Sequence, residues 1–286
     1  MRKTLATTIA ASFLLLLPVL VSAQVSISNF NPVTENFNTL ASAGVSSTVP
    51  AGWAFVESPT NTTYTAGTGS ATTGDTYSFG AAGNSDRAFG ELTTGSLQST
   101  IGASFTNNTG ATITTLAISY YGEQWRLGAL GREDKLDFQY STSSTTLVNG
   151  TWTDVNYLDF TAPVVAGGVG LMNGNLAANR TLIKFSLTNL SIPNGTTFWI
   201  RWRSVEATGS DDGLSIDDFT IQALPASIAT GEVLDFGGTT DRVSLGDLGN
   251  VNDWTIETWF QPNGVFNYEN LFHSDDEALN AGVRME

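Results

Sequence analysis

Between Gln24 and Leu224 apolar side chains recur at every second position in short runs, and Gly, Asn, Thr and Ser interrupt the runs before a helical repeat can build. Successive side chains on a strand point to opposite faces, so a spacing of two marks a half-buried strand, whereas helices repeat at three and four. Leu116, Ile118 and Tyr120 follow this rule after Ile113, as do Leu136, Phe138 and Tyr140. Phe198, Ile200 and Trp202 form a further apolar face, with Trp199, Arg201 and Arg203 opposite. The pattern predicts an all-β fold, a jelly-roll-like antiparallel β-sandwich spanning 24–224. A segment of roughly 200 residues buries enough surface to stand without disulfides, and the chain has no cysteine.

The flanks read differently. Met1-Arg2-Lys3, an apolar run from Ile9 to Val21 and then Val21-Ser22-Ala23 have the parts of a secretory signal peptide, 1–23, cut after Ala23. The run is too short for a membrane span, which takes about 20 apolar residues. The expected location is therefore outside the cell, as a secreted protein. Residues 225–230 read as a linker. From 231 to 286, Leu234 with Phe236, Val243 with Leu245, and Trp254, Ile256 and Phe260 give the opening strands of a second, incomplete jelly roll. The formal net charge is −15. Such a field repels nucleic acid, whose binding draws on Lys and Arg, so no nucleic-acid partner is expected of this segment.

The most acidic stretch is Ser204–Ile221, which contains Glu206, Asp211-Asp212-Gly213 and Asp217-Asp218. Its apolar positions change parity between Ile216 and Phe219. Either the strand is buried on both faces, or a β-bulge at Asp217-Asp218 re-aims one carboxylate. No cation-rich segment lies nearby in sequence to neutralise the four aspartates. Bound Ca²⁺ is one reading, because hard cations take clustered oxygen ligands. The other is a solvated Asp-Asp-Gly turn with one carboxylate capping loose N–H groups.

Catalysis finds few candidates. The sole histidine, His273, lies in the second module, so a Ser-His-Asp triad or a histidine zinc site cannot form within the first. Glu123 and Glu206 are the acids placed beside aromatic residues, as glycoside hydrolysis would require of a carboxyl pair. Alternatively Glu123 pairs with Arg126, Arg201 or Arg203. Among the tryptophans, Trp202 belongs to the core face. Trp125 and Trp199, beside Arg126 and Arg201, are the candidates for an exposed platform that stacks on sugar rings while the guanidinium groups bond hydroxyls. The competing reading makes them core filler.

Two stretches carry resemblances. Val49-Pro-Ala-Gly-Trp53, Gly74-Asp-Thr-Tyr-Ser-Phe-Gly80, Asp86-Arg-Ala-Phe-Gly90, Gly122-Glu-Gln-Trp-Arg126, Phe198-Trp-Ile-Arg-Trp202 and Asp211-Asp-Gly-Leu-Ser-Ile-Asp-Asp-Phe219 resemble an accessory β-sandwich of large secreted bacterial proteins. Ile216-Asp-Asp-Phe219 is also similar to the last strand of MAM and carbohydrate-binding jelly rolls. In those modules the first strand pairs beside the last, which implies a metal set of Glu35, Asp211, Asp217 and Asp218 holding a structural Ca²⁺. Leu234-Asp-Phe-Gly-Gly238, Asp241-Arg-Val-Ser-Leu-Gly246 and Trp254-Thr-Ile-Glu-Thr-Trp-Phe260 resemble the opening of a laminin-G-like, concanavalin-A-type domain. The resemblances imply a non-catalytic binding or adhesion protein with an extracellular glycan or surface protein as partner. The alternatives are the accessory region of a secreted nuclease or phosphoesterase, and a structural spacer.

Overall fold

The computed structural model describes residues 24–204, 208–225, 270–273 and 282–284, and the chain divides into two compact units, Met1–Glu232 and Val233–Glu286. In chain order the strands of the first unit are β1 Val25–Ile27, β2 Val33–Glu35, β3 Val45–Ser46, β4 Trp53–Ser58, β5 Tyr64–Gly67, β6 Asp75–Phe79, β7 Ala88–Leu92 and β8 Gln98–Asn107. They continue with β9 Ile113–Leu127, β10 Lys135–Ser141, β11 Thr153–Asp154, β12 Phe160–Thr161, β13 Gly170–Leu171, β14 Arg180–Leu187, β15 Thr197–Ser204 and β16 Gly213–Pro225. The expected all-β sandwich is present. Of the second unit, Asn270–His273 and Gly282–Arg284 form one antiparallel pair. The signal peptide, residues 226–230 of the expected linker and the laminin-G-like strands up to Phe260 fall outside the described residues, while Pro225 ends β16.

The first sheet runs β1-β8-β15-β10-β11, with β4 also on β8 and β12 also on β10. The second runs β13-β9-β16-β7-β6-β5-β3, with β14 also on β9 and β2 also on β16. The pairing is not wholly antiparallel, as the sequence pattern led one to expect: β1 runs parallel to β8, and β5 parallel to β6. Residues facing between the sheets make the main core. Ile101, Ala103 and Phe105 of β8, Phe198, Ile200 and Trp202 of β15 and Leu136 and Phe138 of β10 come from one side. Leu116, Ile118 and Tyr120 of β9 and Leu214, Ile216, Phe219 and Ile221 of β16 come from the other.

The bulge in β16 is what lets this core close. Between Asp217 and Thr220 the register against β9 slips, and Asp218 takes a left-handed φ of 47°. The extra residue returns Phe219 to the interior, where its ring meets Trp53 edge-on at 5.3 Å and Trp202 edge-on at 5.8 Å. Those two indoles lie stacked at 6.0 Å. Burying a phenylalanine is worth roughly 1.5–3 kcal/mol and such ring pairs add about 0.5–1.5 kcal/mol each.

A second, smaller core lies on the outward face of the second sheet. Tyr77, Phe79, Ala88, Leu92 and Trp125 are buried there, with Tyr77 stacked on Phe79 at 4.9 Å and Phe79 on Trp125 at 6.1 Å. Strand β6 therefore inverts the usual rule. Its aromatic side chains point away from the main core, while Thr76 and Ser78, both fully buried, take the inward positions.

Candidate functional site

Strand β9 carries Glu123 and Trp125 on the outward face of the second sheet, and β16 brings Asp217 to the same face. Ser215 is paired with Glu123 and Asp217 with Tyr121, so Glu123 and Asp217 are diagonal neighbours. Glu123 is completely buried. Its Oε2 accepts the Trp125 indole N–H at 3.0 Å, while Oε1 has no hydrogen-bond donor and lies 3.9 Å from Nη1 of Arg180. Burial, opposed by the Trp125 hydrogen bond and by Arg180 and reinforced by Asp86 and Asp218, pushes the Glu123 carboxyl up to about 7. Asp217 is pushed up to about 8, by burial first and then by Glu123, although it accepts the Asp218 N–H at 2.7 Å. Asp218 itself is exposed at the bulge. Nearby Asp86 accepts from Asn175 at 2.6 Å.

The sequence expectation of a four-residue metal set is corrected here. Strand β2 does pair beside β16, as the resemblance implied, but its register sets Glu35 opposite Phe219, the residue the bulge turns inward. Glu35 lines a small cleft with Val25, Trp53, Phe105 and Phe219, and its Oε1 accepts the Phe37 N–H at 2.8 Å. Asp217 faces the other way. Asp211 is drawn off by Arg132, whose Nη2 lies 2.7 Å from its Oδ1. That arginine also grips Asp134 with two nitrogens, at 2.7 and 2.8 Å, and donates to the Thr208 and Ser210 carbonyls. Asp212 is bonded by the Gly128 N–H and the Gln124 amide, at 2.6 and 2.7 Å, and is raised to about 6 chiefly by burial. The cation missing from the local sequence is thus supplied from nearly 80 residues away. Among the described residues, no three His, Asp or Glu side chains stand together so as to hold a metal ion.

The expected aromatic platform is also taken apart. Trp125 and Arg126 lie in the second sheet, Trp199 and Arg201 in the first, so they do not form one face. Trp125 is only 1% exposed. Two glycines bring the chain onto it: a Cβ at Gly69 would sit 1.8 Å from the Trp125 carbonyl oxygen, and one at Gly174 would sit 2.4 Å from the indole ring. Arg126 reaches back to the Gly69 and Ser70 carbonyls at 3.3 and 3.4 Å. Trp199 and Arg201 are buried as well. Arg201 donates to Gln139 at 2.8 Å and to the Leu147 carbonyl at 2.5 Å, and lies 3.8 Å over the Trp152 ring. Burial, with Arg203 adding to it, lowers the Arg201 guanidinium to about 10. Glu123 pairs with none of the three arginines expected for it; its partners are Trp125 and Arg180. Glu206 lies outside the described residues.

Exposed aromatic surface appears instead beside β14, the edge strand next to β9. Tyr157, in a one-turn 3-10 helix at Asn156–Leu158, is 74% exposed, yet its ring lies on Phe185 of β14 at 4.8 Å and 18°. Leu182 and Phe185 are exposed along the same strand, and Arg180 sits 4.4 Å over the Tyr121 ring. Near Tyr157 in sequence, Asp159 accepts from Lys135 at 3.2 Å and from the Phe138 N–H at 2.8 Å. Only the topology reveals that, among the described residues, β14 has a neighbour on one side.

No protein-family model matches the chain, and no curated protein sequence matches it. Solved structures with a similar course of chain include the CBM22-1 xylan-binding domain of Paenibacillus barcinonensis Xyn10C, at 12% identity and a TM-score of 0.37, covering 70% of this chain and 99% of that one. The K2 cleaved adhesin domain of Lys-gingipain is similar at 15% identity and a TM-score of 0.39, covering 68% and 98%. TmCBM61, solved with β-1,4-galactotriose, is similar at 10% identity and a TM-score of 0.29, covering 69% and 92%. At such identities and scores the likeness does not reach ligand or activity.

Proposed function

We propose that the sandwich is a non-catalytic binding module for an extracellular glycan, exported by the leader expected at 1–23, with Tyr157 as the ring on which a sugar packs. The observation that carries this reading is the Tyr157–Phe185 pair. Stacking fixes one face of Tyr157 and leaves the other to solvent, so little side-chain freedom is lost when a ligand arrives. Asn156, Asp159 and Lys135 supply polar groups in the same neighbourhood, as a few oriented polar groups do around an apolar contact. A binding role without hydrolysis is supported by the burial of Glu123, which cannot approach a glycosidic bond in the folded chain. Among the described residues no helix is long and apolar enough to cross a membrane. The reading is tested by passing the chain over a panel of polysaccharides and following both retention and release of reducing ends. Retention without release is expected.

The proposal includes Ca²⁺, relocated from the set expected in the sequence to the diagonal pair Glu123 and Asp217. The orphaned Oε1 of Glu123 supports it, because a buried carboxylate oxygen without a donor is satisfied by a cation. The ion would offset the repulsion among these acids and tie β9 to the bulge of β16.

A further inference from the structure

Nine large apolar side chains stand exposed among the described residues, and five of them, Val169, Leu171, Leu176, Leu182 and Phe185, belong to the stretch 169–187. That stretch borders β9. Strand β13 pairs with Arg126 and Leu127 near the end of β9, and β14 pairs along it from Leu116 to Glu123, so the exposed side chains follow one edge of the second sheet. Apolar surface gathered in this way marks an interaction site more often than scattered apolar residues do. An edge strand also leaves backbone N–H and C=O groups open on its free side. Among the described residues β14 pairs with β9 alone.

Charge decides what can cover this edge. The chain holds 27 acidic residues and a net charge of −15, so two copies repel over most of their surface. The sequence 160–205 contains no Asp or Glu, and β14 carries Arg180 and Lys184. Here a second copy can approach without setting carboxylate against carboxylate. The strand is also self-complementary. When two copies pair antiparallel about a two-fold axis, directly opposite residues share a face, so the register centres on a residue. Of the registers that use most of β14, one centred on Lys184 opposes two ammonium groups, and one centred on Leu182 sets Arg180 against Lys184; like charges so placed destabilise. A register centred on Ile183 sets Leu182 against Lys184, Arg180 against Ser186 and Thr181 against Phe185. No like charges meet, the Lys184 stem can lie over Leu182, and the small Thr181 leaves Tyr157 its place on Phe185.

We propose that a second copy of this chain occupies the edge: β14 pairs antiparallel with β14 of the second copy about Ile183, and the second sheet of one molecule continues into that of the other. The contact uses the same patch on both copies and closes on itself, so it yields a dimer and not a fibre. Leu171 and Leu176, which precede Arg180 along the same edge, flank the contact at each end. The dimer requires neither glycan nor Ca²⁺.

Sedimentation equilibrium of the full chain over a range of concentrations, in chelator and without glycan, should show monomer and dimer in exchange. Leu182→Lys, at an exposed position, should weaken the dimer about tenfold or more by setting two ammonium groups opposite each other. Cross-linking tests the register, and the absence of cysteine from the chain makes single substitutions clean reporters. Directly opposite residues of an antiparallel pair have Cα atoms about 4.5–5.5 Å apart, within the span of a disulfide. A mixture of Leu182→Cys and Lys184→Cys should therefore oxidise mainly to the mixed dimer, while each variant alone cross-links poorly. A chain that stays monomeric at every concentration overturns the proposal, as does a monomer that floats with neutral lipid vesicles, which gives the strip to lipid. A dimer indifferent to Leu182→Lys, or cysteine variants that cross-link to themselves as readily as to each other, put the second copy elsewhere and overturn it too.

Discussion

Asp217 and Glu123 stand diagonally across adjacent strands on one outward face, both buried, and Oε1 of Glu123 has no hydrogen-bond donor. Above the values of about 7 and about 8 to which burial raises them, both are anions, and two anions so placed either repel or share a cation. With Ca²⁺ at a hundredfold its Kd the folded state gains about 2.7 kcal/mol, so the melting temperature of the parent chain should rise from chelator to calcium. Glu123→Gln and Asp217→Asn should each abolish that rise. Glu35→Gln and Asp211→Asn should leave it intact, because the register and Arg132 hold those groups elsewhere. A parent chain with no calcium response removes the ion from this account.

Asp218 absorbs the bulge at a positive φ, where glycine is at ease and a β-branched residue is strained. Asp218→Gly should leave chelator-treated stability within about 1 kcal/mol of the parent, since the gain in backbone comfort offsets the entropy of the unfolded glycine. Asp218→Val should cost about 1–2 kcal/mol by urea unfolding. Equal effects of the two would mean that the bulge is not built on Asp218.

Trp125 and Trp199 act in packing. Trp125→Ala should cost about 3–5 kcal/mol, the range for emptying a buried aromatic position, with glycan retention unchanged under conditions where the variant stays folded. Gly69→Ala should destabilise the same region, because its Cβ has no room beside the Trp125 carbonyl and its φ is +89°. A stable Trp125→Ala variant that has lost glycan retention would return that residue to the binding site.

These outcomes mark what the sequence could carry. Strand alternation placed Trp202 in the core, and the parity change at Ile216–Phe219 offered the bulge as one of two readings, because both signals are local. The pairing of β2 beside β16 was foreseen, but not the register, which aims Glu35 inward. Arg132 could not be assigned to Asp211, since a contact between segments so distant has no local trace. The burial of Trp125 depends on glycine-rich segments whose sequence reads only as loop. In β6, Thr-Tyr-Ser-Phe carries a clean alternation whose apolar side faces outward, because a second small core waits there. Tyr157 stood out only once β14 proved to be an edge.

Binding of polysaccharides by the parent chain and by Tyr157→Ala, measured by calorimetry at one pH and calcium concentration, tests the central claim most directly. The ring is 74% exposed, so its removal should change melting by little. The account predicts that the parent binds at least one polysaccharide and that the variant binds it about tenfold or more weakly, the equivalent of about 1.4 kcal/mol. A parent that binds no glycan, or a variant that binds as tightly as the parent, would contradict it.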